Sequence, residues 1–257
     1  MFLAVDIGNT NVTLGLYEGE TLGPRWRLAT EHEKTCDEYG IQMLVLFKHA
    51  GIAADAIRAI AIASVVPPLT HAFVEACRQY LACEPLVIDG KIKTGVRLRY
   101  DDPSQVGSDR IVDAAAAYKL YGGPACIVDF GTATTFDAIS SEGDYLGGAI
   151  APGIGIASEA LFQRTAKLPQ VELRRPPSSI GRNTVHSLQS GLLFGYVGLV
   201  EGMVARFRNE LGRETRVIAT GGLAEIIAKE TTVISVVAPW LTLDGLRMIY
   251  QLNAKSV

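Results

Sequence analysis

Leu3-Ala4-Val5-Asp6-Ile7-Gly8-Asn9-Thr10-Asn11-Val12 is the stretch that decides the fold, because a second stretch of the same design occurs near the middle of the chain. That second stretch reads Ile127-Val128-Asp129-Phe130-Gly131-Thr132-Ala133-Thr134-Thr135. Each copy is a strand-like run that ends in Asp-x-Gly, followed by a cluster of Thr or Asn and a second strand-like run. The two aspartates are 123 residues apart in a chain of 257. This spacing predicts a gene-duplicated molecule with two related lobes.

The hydrophobic periodicity predicts the same order of elements, β-β-β-α-β-α-β, in both halves of the chain, with insertions in the second. The first series runs from a strand at Phe2–Ile7 to a strand at residues 86–89. A helix over Ser108–Tyr121, ending at two glycines, separates it from the second series, which begins with a strand at Ala125–Phe130. We therefore predict an α/β fold of two lobes, residues 1–122 and 123–257, each with a mixed β-sheet and helices on its faces.

Composition and charge exclude several classes of protein. With 48% hydrophobic and 20% charged residues, the chain has ample apolar material for a core. A net charge of −3 without blocks of like charge argues against a nucleic-acid partner or a polybasic membrane patch. The four cysteines form no Cys-x-x-Cys pair, and the four histidines are scattered. We therefore expect structural thiols in a reducing compartment rather than a zinc site.

Signals for export or membrane insertion are also absent from the sequence pattern. No basic residue precedes the apolar run at the start, so we expect no secretory leader. The most apolar stretches, residues 59–66 and 191–200, are too short to span a bilayer. These patterns predict a cytoplasmic protein with no membrane partner.

A strand that ends in Asp-x-Gly has a specific chemical use. Glycine lets a ligand approach the backbone, the following amides and hydroxyls can donate to phosphate oxygens, and the carboxylate can hold a hydrated cation. A single copy is equally an ordinary hairpin turn. Two copies at matching positions of two lobes favour a polyphosphate held from both sides.

A third motif, Ala219-Thr220-Gly221-Gly222-Leu223, follows a predicted strand and precedes a predicted helix. Its glycines would let a nucleobase or ribose lie against the backbone, although a plain strand-to-helix turn has the same pattern. Neither G-x-G-x-x-G before a helix nor G-x-x-x-x-G-K-[ST] occurs, so a Rossmann site or a P-loop is not predicted. Together with the two Asp-x-Gly turns, this motif predicts a nucleotide site.

In this order the motifs resemble those of the acetate and sugar kinase, Hsp70 and actin superfamily, and most closely those of the type III pantothenate kinases. The matching segments are DIGNTNVTLGLY (6–17), Tyr100 with DPSQVGSDR (102–110), DFGTATTFD (129–137), GGAIAPGI (147–154), IGRNT (180–184), ATGG (219–222) and PWLTLDGL (239–246). They span nearly the whole chain. One departure is Ser108, where the family usually has alanine.

The resemblance implies two duplicated ribonuclease H-like lobes of the actin-like ATPase type, and transfer of the γ-phosphoryl group of ATP to pantothenate. By similarity Asp109 is the general base that accepts the proton of the pantothenate hydroxyl. From the residues alone, Asp109 is equally a carboxylate that caps the helix that begins beside it.

The resemblance also implies the remaining site residues. The ATP-binding residues would be Asp6, Ile7, Gly8, Asn9, Thr10, Asn11, Val12, Thr13 and Thr132. The pantothenate-binding residues would be Tyr100, Gly107, Ser108, Asp109, Arg110 and Thr184. From the residues alone, Tyr100 is equally a core side chain, Arg110 a surface side chain and Thr184 the N-cap of the long helix that follows.

Cations and a second subunit complete the implied assembly. Asp129 resembles the family's ligand for a monovalent cation, K⁺ or NH₄⁺, and Mg²⁺ is expected with ATP. The family implies a homodimer whose second subunit partly closes the pantothenate pocket. The apolar residues of the segment 192–203 cover several faces of one helix, which predicts that this helix lies at the dimer interface or is buried within the subunit.

Two other functions are compatible with the same motifs. A two-lobed ATPase scaffold also serves kinases that act on sugars or carboxylates, because a fold does not specify a substrate. A non-catalytic regulator or assembly protein on an actin-like scaffold is the third alternative. Turnover with a panel of acceptors would distinguish a pantothenate kinase from a kinase that acts on sugars or carboxylates. Light scattering with and without ATP would test for an assembly protein.

Overall fold

The computed structural model describes residues 1–254, which form two compact units. The first unit contains Met1–Ala116 and the chain from Leu241 onward, and the second contains Ala117–Trp240. The strands are β1 (Phe2–Ile7), β2 (Asn11–Glu18), β3 (Thr21–Ala29), β4 (Ala59–Ser64), β5 (Leu86–Val87), β6 (Arg97–Leu98), β7 (Ala125–Phe130), β8 (Ala133–Ile139), β9 (Asp144–Pro152), β10 (Arg216–Gly221) and β11 (Val236–Val237). The helices are α1 (Cys36–His49), α2 (Pro67–Leu81), α3 (Ser108–Tyr121), α4 (Ile154–Arg164), α5 (Thr184–Leu211), α6 (Ala224–Ala228) and α7 (Leu241–Ala254), with 3₁₀ turns at Ala54–Ala56 and Pro103–Gln105.

The sheet of the first unit has the strand order β3-β2-β1-β4-β5. Strand β1 is antiparallel to β2 and parallel to β4. Its side chains alternate between the two faces, so Leu3, Val5 and Ile7 lie together in one core. Helices α1 and α2 cover that core with large buried side chains, including Phe47 and Phe73.

Five strands of the six-stranded second sheet have the matching order β9-β8-β7-β10-β11. Strand β7 is antiparallel to β8 and parallel to β10, just as β1 is to β2 and β4. Its core contains Val128 and Phe136 from the sheet and Val200 from α5. The two units therefore share one mixed topology, which confirms the predicted duplication and the predicted α/β class.

Helix α7 packs against the first sheet although it is last in the chain. Its Asp244 accepts a 2.7 Å hydrogen bond from the buried Tyr17 hydroxyl, and the Tyr250 ring lies 5.1 Å from the ring of Phe2. The predicted lobes of residues 1–122 and 123–257 describe the sequence repeat and remain a prediction. In the structure, the chain returns to its first unit at Leu241.

Helix α5 contributes its large apolar side chains to the core of its own unit. Leu192, Leu193, Val197 and Val200 are all buried there, so burial within the subunit accounts for these residues. Within residues 1–254, this 28-residue helix alone is long and apolar enough to cross a bilayer, by length and composition only. Such a helix is weak evidence of a membrane span, because the core helix of a soluble protein has the same properties.

Candidate active site

The first candidate phosphate loop joins β1 to β2 and includes the predicted residues Asp6 to Thr13. Asp6 lies at the end of β1, directly opposite Thr13 of β2. The turn between them is closed by a 3.0 Å hydrogen bond from the Gly8 amide to the Asn11 carbonyl, and its tip is exposed. An exposed turn of this kind can present backbone amides to an anion.

Thr30, which directly follows β3, makes two hydrogen bonds to this loop. Its hydroxyl donates to the Gly8 carbonyl at 2.6 Å, and its amide donates to the Thr10 carbonyl at 3.0 Å. Sequence reasoning did not select Thr30, because it lies about 20 residues beyond the loop and belongs to no motif. Only the antiparallel pairing of β2 and β3 places it there.

The segment that contains Asp109 is hydrogen-bonded to the carboxyl end of β4 in the same sheet. The Ser108 hydroxyl accepts from the Ser64 amide at 2.8 Å and donates to the Ser64 carbonyl at 2.9 Å. Ser64 ends β4 and is the direct neighbour of Ile7 on β1. The start of α3 and the first phosphate loop therefore lie at the same carboxyl edge of the first sheet.

Asp109 lies in the first turn of α3, where its carboxylate accepts a 2.8 Å hydrogen bond from the Arg110 amide. Burial raises the pKa of Asp109, and the Arg110 amide and guanidinium only partly offset this effect. A raised pKa makes the carboxylate a better proton acceptor. A Cβ on Gly107 would lie 2.5 Å from the Asp109 carboxylate, so glycine is needed there to leave the carboxylate in place.

The other predicted pantothenate-binding residues lie at different positions. Arg110 is partly buried beside Asp109 on α3. Tyr100 is exposed, at 36%, and precedes a 3₁₀ turn that Asp102 caps by accepting from the Ser104 amide. The alternative that Tyr100 is a core side chain is therefore wrong. Thr184 is the first residue of α5, whose N-cap is Asn183, so the alternative that Thr184 itself caps the helix is also wrong.

The second candidate phosphate loop joins β7 to β8 and repeats the design of the first. Asp129 is opposite Thr135 of β8, and the turn is closed by a 3.0 Å hydrogen bond from the Gly131 amide to the Ala133 carbonyl. The Thr132 carbonyl accepts from the Gly153 amide at 3.1 Å. Gly153 belongs to the predicted motif at 147–154, and a side chain there would collide with the loop backbone.

Two glycines leave space around the Asp129 carboxylate. A Cβ on Gly221 would collide with one carboxylate oxygen, and a Cβ on Gly131 would lie 3.4 Å from the other. Gly221 ends β10 with a φ of +87°, a conformation that also favours glycine. A partly buried carboxylate at the end of a strand can hold a hard cation, which takes oxygen ligands. Among residues 1–254, no group of three or more His, Cys, Asp or Glu side chains forms a metal site.

The fold matches those of solved proteins of low sequence identity. One is described as a Baf family transcriptional activator from Campylobacter jejuni, with a TM-score of 0.63, 20% identity, and coverage of 98% of this chain and 99% of that one. Another is the ethanolamine utilization protein EutJ from Carboxydothermus hydrogenoformans, with a TM-score of 0.59, 13% identity, and coverage of 96% and 89%. Together with the duplicated topology, these matches define the class as two-lobed proteins of the actin-like, ribonuclease H-like fold.

Sequence relatives define the family within that class. The family model of the type III pantothenate kinases matches residues 2–206. Proteins named type III pantothenate kinase are 52% identical in Moorella thermoacetica and 53% identical in a Roseiflexus species, over 98% of this chain and at least 99% of each relative. The chain belongs to the type III pantothenate kinase family, whose members are ATP-dependent kinases. The resemblance noted from the motifs is confirmed.

Proposed function

We propose that this protein transfers the γ-phosphoryl group of ATP to the primary hydroxyl of pantothenate, with Asp109 as general base. The product is 4′-phosphopantothenate, formed in the first step of coenzyme A biosynthesis. The role of Asp109 is supported by its surroundings. Its carboxylate is partly buried, has a raised pKa and lies next to a glycine that leaves it space. The raised pKa favours acceptance of the hydroxyl proton as the bond to phosphorus forms.

Neighbouring residues would position the pantothenate hydroxyl against this base. The guanidinium of Arg110 suits a carboxylate or amide oxygen of pantothenate. Ser108 binds through its backbone, because its hydroxyl is already engaged with both backbone groups of Ser64. Tyr100 is exposed and would contact pantothenate at the surface, and Thr184 would contact it from the start of α5.

The two Asp-x-Gly loops would bind the ATP phosphates, with Asp6 to Thr13 in the first loop and Thr132 in the second. Mg²⁺ bound with ATP neutralises charge on the transferring phosphoryl group. Asp129 would hold a monovalent cation, K⁺ or NH₄⁺, and its position at the end of β7, against a glycine whose Cβ would collide with the carboxylate, supports this role. The backbone amides of the loops position the phosphates, which is the main demand of this reaction.

A homodimer is supported by the exposed side of α5. Gly191, Gly195 and Gly198 are exposed, and a Cβ at any of them would meet no atom within 4 Å. Glycine inside a helix costs about 1 kcal/mol relative to alanine, and no described atom of the chain lies close enough to require it at these three positions. Close approach of a second copy supplies the reason for glycine at these positions.

The use of ATP supports a cytoplasmic location, without a nucleic-acid or membrane partner. The deciding experiment is an assay of ADP release with pantothenate, glucose and acetate as acceptors, with the product identified by its mass. We expect turnover with pantothenate alone and a product that carries one added phosphate. Turnover with glucose or acetate and none with pantothenate would reject the proposed acceptor.

A further inference from the structure

The two phosphate-loop hairpins both place an aspartate opposite a threonine, but they differ in the residue two positions beyond that threonine. Asp6 is opposite Thr13 in the first hairpin, and Asp129 is opposite Thr135 in the second. Two residues beyond the threonine, the first hairpin has Gly15 and the second has Asp137. The second hairpin alone therefore places a carboxylate on the same strand face as its threonine.

Asp137 is 1% exposed, and each of its oxygens accepts a hydrogen bond from a hydroxyl. The Thr135 hydroxyl donates to one oxygen at 3.1 Å, and the Tyr145 hydroxyl donates to the other at 2.8 Å. Thr135 is thus next to Asp137 along its own strand and next to Asp129 across the strand pair. Directly opposed residues of an antiparallel pair have Cβ atoms about 5 Å apart.

This arrangement determines what the Thr135 hydroxyl can bind. A hydroxyl has one proton and two lone pairs, and the proton of Thr135 is donated to Asp137. Toward any other group, the oxygen is therefore an acceptor. An acceptor oxygen beside the Asp129 carboxylate repels a phosphate oxygen but attracts a cation, either K⁺ by coordination or NH₄⁺ by hydrogen bonding.

We infer that Thr135 is a further ligand of the monovalent cation at Asp129, and that Asp137 and Tyr145 orient its hydroxyl for this role. The inference rests on the proposed function, which places the cation at Asp129. Thr135 is only partly buried, so a cation can reach its oxygen. The hydrogen bond to Asp137 leaves the lone pairs of the Thr135 oxygen for a cation.

Three variants test the role of the Thr135 hydroxyl. Thr135→Val removes the hydroxyl at nearly constant volume, and Thr135→Ser retains it. Thr134→Val is the matched control, because Thr134 is the buried neighbour whose hydroxyl has no hydrogen-bond partner within residues 1–254. Thermal unfolding is measured with a non-hydrolysable ATP analogue and Mg²⁺, while KCl or NH₄Cl replaces choline chloride at constant ionic strength.

We expect Thr135→Val to raise the half-saturating K⁺ concentration for stabilisation at least about tenfold, whereas Thr135→Ser and Thr134→Val stay within about twofold of the wild type. A Thr135→Val protein that loses stability equally in every salt, with unchanged K⁺ half-saturation, would overturn the inference. Thr135→Ala replaces it if the valine variant does not fold, with the same two outcomes.

Asp129→Asn separates this inference from the proposed function. Loss of the K⁺ effect in Asp129→Asn, with a normal effect in Thr135→Val, rejects Thr135 and leaves the cation at Asp129. A wild type that shows no K⁺-dependent stabilisation rejects both.

Discussion

At the residue scale, two opposing effects act on Asp109. The free amides in the first turn of α3 favour its charged form, and burial favours its neutral form. The effect of burial is the larger one, so the pKa of Asp109 is raised. The buried carboxylate is therefore a better proton acceptor, and it costs stability where it is charged.

Replacing Asp109 by asparagine should lower kcat at least about 10²-fold, because the amide cannot accept the hydroxyl proton. Binding of ATP should persist, since no phosphate-loop residue changes. The measurement is steady-state turnover, with nucleotide binding followed by calorimetry. Asp55→Asn is the matched control, because Asp55 is an exposed carboxylate in the first turn of a 3₁₀ helix and should leave kcat unchanged. Normal turnover in Asp109→Asn would remove Asp109 as the base.

Asp109→Asn should become more stable relative to the wild type as the pH rises. Because the pKa of Asp109 is raised in the folded state, the folded protein binds its proton more tightly than the unfolded chain does. The stability that Asp109 contributes is thus complete below its ordinary pKa and is lost as the pH rises through the raised value. The Tm of Asp109→Asn relative to wild type should therefore increase as the pH rises from the ordinary pKa of an aspartate through the raised pKa of Asp109. A pH-independent difference would contradict the raised pKa.

Gly107→Ala should separate activity from stability. The new methyl group would displace the Asp109 carboxylate, which is the flexible end of a side chain, and not the backbone. We expect kcat to fall about tenfold or more while the free energy of unfolding changes by less than about 1 kcal/mol. Turnover and urea denaturation measure the two effects. Unchanged kcat would show that the Asp109 carboxylate can move away from the methyl group without loss of activity.

At the element scale, the contact between α7 and α3 depends on a glycine. A Cβ on Gly245 would collide with the backbone carbonyl of Val112, which cannot move without shifting α3. Gly155, an exposed residue of α4, would meet no described atom within 4 Å and provides the contrast.

Gly245→Ala should destabilise the protein by about 1–3 kcal/mol through overpacking. The control Gly155→Ala should not cause this loss, because alanine has the higher helix propensity and would meet no described atom within 4 Å. Chemical denaturation of both variants measures the free energy of unfolding. Equal stability of Gly245→Ala and the wild type would show that α7 can shift away from α3.

At the scale of the whole molecule, the proposed dimer explains the three exposed glycines of α5. Gly195→Leu should convert a dimer to a monomer, because its side chain would hold the second copy away. Lys48→Leu, at an exposed position of α1, is the control and should stay dimeric. Light scattering coupled to size-exclusion chromatography measures the mass. A wild type that is monomeric at every concentration would reject the dimer.

Most elements were predictable because their signals are local. Strand β1 and helix α3 have the predicted bounds, since alternation, helical periodicity and terminal glycines act over a few residues. The apolar pattern of residues 233–237 predicts a strand over all five residues, but β11 contains Val236–Val237 alone. The local pattern does not predict the short strand β6. Such short strands exist because a neighbouring chain segment pairs with them, and a local pattern does not record that pairing.

The sequence by itself determined the duplicated order of elements, the two Asp-x-Gly loops and the family, because these are properties of contiguous residues. Tertiary structure decided which distant residues support the site. Thr30 braces the first loop, Ser64 holds the start of α3, and α7 returns to the first sheet. Each of these depends on a hydrogen bond or packing contact between residues far apart in the chain, which form only when the sheets and helices have assembled.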